Sequence, residues 1–134
     1  MTAVQTLALA TALFAHFGLS EWRCVVGDVS PHIGLTRQSE RTIFISSKDE
    51  DLGNGEASVS LLHEFCHVRY PHEMHTPRWA DLYRGLAKCP DVWRIISAHD
   101  SCLAAEGHDV FLKRIEHDIR IHVPAPGPQG EILE

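Results

Sequence analysis

The residues most fit for chemistry lie in one short run, His63-Glu64-Phe65-Cys66-His67. Its pattern is H-E-x-x-H. On a helix, residues four apart share a face, with Cβ atoms about 5–6 Å apart. Two imidazoles so placed can each bring a nitrogen to about 2.0–2.1 Å from one zinc ion. Glu64 is one step round the helix and does not ligate. It can lean over an open coordination position and take a proton from bound water, whose pKa zinc lowers from 15.7 to about 7. The chain holds 10 His and 10 Glu among 134 residues. At that composition the three fixed positions coincide by chance in roughly 5% of random sequences.

The neighbours sharpen the signal. Leu61, Leu62, Phe65 and Val68 surround the motif, so two histidines and a glutamate sit on a helix, Val59 to Tyr70, otherwise suited to a core. A polar group buried without a partner costs about 1–3 kcal/mol, and a metal ion removes that cost. The plain alternative is a half-exposed helix with three solvated polar side chains.

A catalytic zinc takes three protein ligands and leaves the fourth position open. His75 is the leading third ligand. Pro71 stops the metal helix, the chain can then turn back, and Thr76-Pro77 fixes a helix start directly after His75. His72, Glu73 and Glu106 are the alternatives. A metzincin pattern would need Gly at position 70, where this chain has Tyr70. Arg78, Tyr83 and Arg84 are candidates for stabilising an oxyanion, or else a core tyrosine and two solvated arginines. His99, His108, His117 and His122 read as surface histidines rather than a second metal site. Cys66 and the tryptophans Trp22, Trp79 and Trp93 read as core.

The run Leu61-Leu62-His63-Glu64-Phe65-Cys66-His67, followed by His75-Thr76-Pro77-Arg78-Trp79, resembles the SprT-like and YgjP-like zinc metallopeptidases over roughly residues 20–88. The resemblance implies a minimal zincin-like domain of the α+β class, zinc held by His63, His67 and His75, and Glu64 as the base acting on a peptide or protein. The Cys-rich ribbon and basic patch of DNA-linked members are missing, so a nucleic-acid partner is not expected.

These residues need elements to hold them. Leu9, Leu13 and Phe17 recur at helical spacing in a first helix over 3–18, with Gly18 as its stop. Trp22 to Val26 reads as a strand, Ser30 to Gly34 as a turn, and Arg41 to Ser46 as the clearest strand. Lys48 to Gly55 reads as a polar loop. After the metal helix, one helix starts at Pro77. A second is capped by Asp91 and runs through Leu103 to a break at Gly107, and a third continues to about Val123. The expected architecture is a small antiparallel sheet packed on the metal helix, with strand 41–46 as an edge that binds extended peptide. Residues 1–123 form one domain, and 124–134 read as a disordered Pro/Gly-rich tail.

The balance of the chain fits. Its hydrophobic fraction is 44% and its net charge −6, which argues against a general nucleic-acid surface. No segment is long and apolar enough to span a membrane. The apolar N-terminus has no Lys or Arg before Arg23, unlike a signal peptide. Four cysteines with no C-x-x-C pair suit reduced thiols in a cytoplasmic protein. The alternatives to a peptidase are a regulatory or binding module that keeps a metal site with little turnover, and a zinc hydrolase acting on something other than peptide.

Overall fold

Thr2 starts the first helix, α1 (Ala3–His16), through a reciprocal cap. Its hydroxyl accepts from the Gln5 backbone N–H, and the Gln5 side chain accepts from the Thr2 N–H. Leu9, Leu13 and Phe14 bury one face of α1, and Gly18, at φ +67°, turns the chain away after it. The computed structural model describes residues 1–48 and 52–124. Expectations for the tail fall outside these residues from 125 onward, as does the part of the polar loop at 49–51.

Three strands follow: β1 (Arg23–Gly27), β2 (Gly34–Arg37) and β3 (Thr42–Ser46). Their order is β1-β3-β2, with β1 parallel and β2 antiparallel to β3. Two expectations are corrected here. The sheet is mixed, not antiparallel, because the β1–β2 connection carries the chain past β3's place to its far side. Strand 41–46 is not an edge but the centre, with both backbone rims paired. Its composition explains this: Ile43 and Ile45 are wholly buried and Thr42 and Ser46 nearly so, a pattern that suits a strand flanked on both sides. The tight return from β2 to β3 passes through a 3₁₀ turn and Arg41 in the left-handed region at φ +48°. β2 itself begins at Gly34, inside the stretch read as a turn.

The next helix, α2 (Glu56–Arg69), begins a turn earlier than expected and is buried almost all round. The sheet and α1 cover one side of it, with Phe14 and Phe65 rings 4.7 Å apart. α3 (Pro77–Lys88) and α6 (His108–His122) cover the other. Between them lie α4 (Pro90–His99) and α5 (Ser101–Glu106). The single helix expected over this stretch is therefore two. Asp91 is not its cap: Pro90 takes the first position, and Asp91 pairs with Arg94 at 2.7 Å. The break falls at Asp100, whose buried carboxylate accepts from the Leu103 N–H at 3.1 Å and from Ser58 Oγ of α2 at 2.6 Å. Gly107, at φ +100°, separates α5 from α6.

The described residues thus form an α+β arrangement of six helices and one small mixed sheet. Among them, no helix is long and apolar enough to cross a membrane, and all four cysteines are free.

Candidate metal centre

Two ligand candidates come from one face of α2, where His63 and His67 lie a turn apart. The third comes from the loop that follows. That loop is pinned at its far end: Thr76 Oγ1 accepts from the Trp79 N–H at 3.1 Å and donates to Glu73 Oε1 at 2.9 Å. His75 stands immediately before this cap with φ +52°. A non-glycine residue in the left-handed region costs on the order of 1–3 kcal/mol and persists where its surroundings hold it. Here the conformation carries the imidazole back over α2.

The three rings converge. His75 Nε2 lies 3.1 Å from His63 Nε2 and 3.1 Å from His67 Nε2. One ring nitrogen carries at most one proton, so it cannot make two good hydrogen bonds at once. Three nitrogens at about 2.0–2.1 Å from a tetrahedral zinc stand about 3.3 Å apart, close to the spacing observed. The donor set therefore fits such an ion, as their grouping within 4.8 Å of one another also indicates.

Protonation states agree with ligation. Burial, followed by neighbouring His63 and His75, pulls the His67 pKa down to about 4. Burial, followed by His63 and His122, lowers that of His75. Both rings are then neutral near pH 7, the form that binds metal. Trp79 stacks on His67 at 5.2 Å and forms a dry floor beneath the cluster. His67 Nδ1 is buried with no hydrogen-bond partner among the described residues.

His63 is held more firmly. Its Nδ1 donates to Asp118 Oδ2 of α6 at 2.8 Å, and the Tyr83 hydroxyl of α3 donates to the same oxygen at 2.8 Å. Burial pushes the Asp118 carboxyl upward, but the hydrogen bond from His63 and the others it accepts outweigh this and leave it below the ordinary range. An ionised Asp118 fixes the proton on Nδ1 and so turns the Nε2 lone pair to the cluster.

Glu64 faces the other way, toward β2. Thr36 Oγ1 donates to Glu64 Oε1 at 2.6 Å. Gly34 leaves room for the carboxylate, since a Cβ there would stand 2.9 Å from Oε2. That second oxygen lies 4.0 Å from His63 Nε2. Burial raises the Glu64 pKa, against the pull of His63 and the Thr36 hydroxyl.

Of the candidates read from sequence, His63, Glu64, His67 and His75 are brought together. His72 is exposed, Glu73 serves the Thr76 cap, and Glu106 pairs with Arg114 at 3.0 Å. Arg78 reaches Glu73, and Arg84 binds Glu116 at 2.6 Å. Of the three oxyanion candidates, only Tyr83 reaches the cluster, through Asp118. His99 and His108 bond to backbone carbonyls. Cys66 and Trp79 are core, while Trp22 and Trp93 are half-buried.

His122 is exposed, as expected of a surface histidine, but it also borders the cluster. Its ring stands 4.7 Å from that of His63 and 5.0 Å from that of His75, and with His63 and Asp118 it forms a second possible ligand group. Asp118 was missed outright. One signal was present: Phe111, Ile115, Asp118 and His122 form a single helical stripe, so its polar end had to face something other than solvent alone. Family models, curated proteins and solved structures offer no match to this chain.

Proposed function

We propose that this chain is a zinc-dependent metallopeptidase of the zincin type, similar to the SprT-like enzymes. The observation that carries the reading is the convergence of three imidazole nitrogens beside a buried carboxylate that does not ligate. His63, His67 and His75 would hold the ion. Bound zinc would supply a Lewis acid for the scissile carbonyl and acidify a water molecule. Glu64 does the proton work at Oε2, since Oε1 is taken by Thr36. Its raised pKa suits a group that accepts a proton from water and passes it to the leaving amine.

β2 supplies a place for the substrate backbone. Ser46 N donates to the Ile33 carbonyl at 2.8 Å. By antiparallel alternation, residues 35 and 37 then also bond to β3, and the backbone groups of Gly34 and Thr36 face the free edge. No strand lies beyond that edge among the described residues. An extended peptide added there runs beside the two residues that touch Glu64. Four free thiols suit a reducing, cytoplasmic setting.

A second reading is a binding module with a closed metal site. It is favoured by His122, which with His63 and Asp118 forms a second possible ligand group, so these side chains could serve a structural ion instead. Elemental analysis of protein purified without added metal, with proteomic cleavage profiles of wild type and Glu64→Gln, separates the two. The peptidase reading expects about one zinc per chain and cleavage only by wild type. Zinc without turnover, and weaker zinc binding in His122→Ala, would favour the closed site. The ligand set is checked by His75→Ala and His72→Ala: only the first should lose zinc in competition with a chromophoric chelator.

A further inference from the structure

Two helices each carry a pair of metal-ligating side chains one turn apart. On α2 they are His63 and His67, and on α6 they are Asp118 and His122. The i, i+4 spacing puts each pair on one helix face. α2 and α6 pack together, and His63 stands where the two pairs meet. Its ring is used from both edges. Nε2 lies 3.1 Å from His75 Nε2, whereas Nδ1 lies 2.8 Å from Asp118 Oδ2. One ligand atom from each of His63, Asp118 and His122 falls within 4.8 Å of the other two, in a group apart from the one that His63 forms with His67 and His75.

The Asp118 carboxylate divides its oxygens between two tasks. Oδ2 accepts from His63 and from the Tyr83 hydroxyl. Oδ1 lies 3.2 Å from His122 Nδ1, close to the spacing of about 3.3 Å between two ligands of a tetrahedral zinc. His122 Nδ1 also lies 2.9 Å from the Asp118 backbone carbonyl. A neutral imidazole holds its one proton on either nitrogen. With that proton on Nε2, the Nδ1 lone pair meets the carboxylate, and a cation between them satisfies both. Asp118 is half-buried and His122 exposed, so this group opens to solvent at His122.

We propose that Asp118, His122 and Nδ1 of His63 form a second zinc site, filled after the first and bridged to it by the His63 ring. This rests on His63, His67 and His75 holding the first ion through their Nε2 atoms. The second ion takes the place of the proton on His63 Nδ1. That proton leaves to solvent, and the ring becomes an imidazolate with one ion on each nitrogen. Asp118 supplies Oδ1 and His122 supplies Nδ1. The second ion binds more weakly, because it displaces a proton and meets a cation already on the same ring. The hydrogen bond that orients His63 at low zinc is therefore exchanged for metal bonds when zinc is plentiful.

The test titrates metal-free wild type, His122→Ala and His75→Ala with zinc by equilibrium dialysis and counts bound ions by elemental analysis. Wild type should take up about two ions per chain, the second at least about tenfold more weakly than the first. His122→Ala should keep the first and lose the second. His122 is exposed, so its melting temperature should hold. The bridge is read with copper(II), which imidazole also ligates. An imidazolate couples the spins of two copper ions, so electron paramagnetic resonance of doubly loaded protein at low temperature should fall well below twice the singly loaded signal. Uptake of one ion by wild type, or of two by His122→Ala, overturns the second site and leaves the first standing. Additive copper signals overturn the shared ring. A single tight ion that is lost in His122→Ala and kept in His75→Ala overturns both the first centre and the sharing. None of these measurements reads cleavage, so the peptidase reading is tested separately by Glu64→Gln.

Discussion

Asp100, packed on α2, and Glu64, part of it, are the two most buried carboxylates among the described residues, and locally they look alike. Asp100 is 1% and Glu64 6% exposed, and each accepts from a hydroxyl at 2.6 Å. The difference lies in what the other oxygen meets. Asp100 Oδ1 accepts the Leu103 N–H and caps α5, so both oxygens serve the fold. Glu64 Oε2 has no hydrogen-bond donor among the described residues and lies 4.0 Å from Nε2 of His63, one of the three clustered imidazoles. A buried acid with both oxygens satisfied is architecture, whereas one with a free oxygen beside a lone-pair cluster is poised to move a proton.

The contrast is broken most sharply by removing the acid at each place. Glu64→Gln should lower peptidase activity about 10²–10⁴-fold while zinc content and melting temperature hold. An amide at that position with wild-type turnover would return Glu64 to the structural class. Asp118→Asn should weaken zinc binding about 10–100-fold, read by chelator competition, because an amide no longer fixes the His63 proton on Nδ1. Unchanged affinity would mean that Asp118 only ties α6 to α2. Asp100→Ala should leave zinc affinity alone and destabilise the fold by about 1–3 kcal/mol, since Ser58 and the Leu103 N–H lose their partner. Denaturant unfolding measures this, and a loss of zinc affinity without loss of stability would reverse the assignment.

The last effect concerns pH. Folding holds the His67 pKa at about 4, below its value of 6.5 in an unfolded chain. As pH falls through 6.5, the unfolded state takes up a proton that the folded state refuses. Stability of the metal-free protein therefore declines between about pH 6.5 and about pH 4, and it is flat with respect to this group above that window. Melting temperatures of chelator-treated wild type and His67→Gln across the window test it: the slope should be shallower in the variant.

What could be read from the chain follows the range of the interactions. The i, i+4 histidines, the Thr76-Pro77 cap and the Pro71 stop are local signals, and the structure brings His63, Glu64, His67 and His75 together where those signals place them. Strand 41–46 was legible as a strand but not as the centre of the sheet, because its composition does not name its partners. β2 was illegible: Gly34-Leu35-Thr36-Arg37 is short and opens on glycine, and only pairing with β3 makes it a strand. Asp118 lies 55 residues from His63, and no spacing rule reaches that far. Asp100 was overlooked as a helix break because Ile96 and Leu103 continue the apolar period across it.

The open rim of β2 has a consequence for how the protein behaves in concentrated solution. An unpaired strand edge welcomes any extended chain, including another copy of itself, and so carries a hazard of self-association. This edge is only four residues long and ends in the charged Arg37, which lies over the Phe44 ring at 5.9 Å and pairs with Glu40. Shortness and terminal charge are the usual means of discouraging edge-to-edge assembly while leaving room for a brief visitor. Variants that lengthen β2 or neutralise Arg37 trade that protection away, and their first symptom would be aggregation.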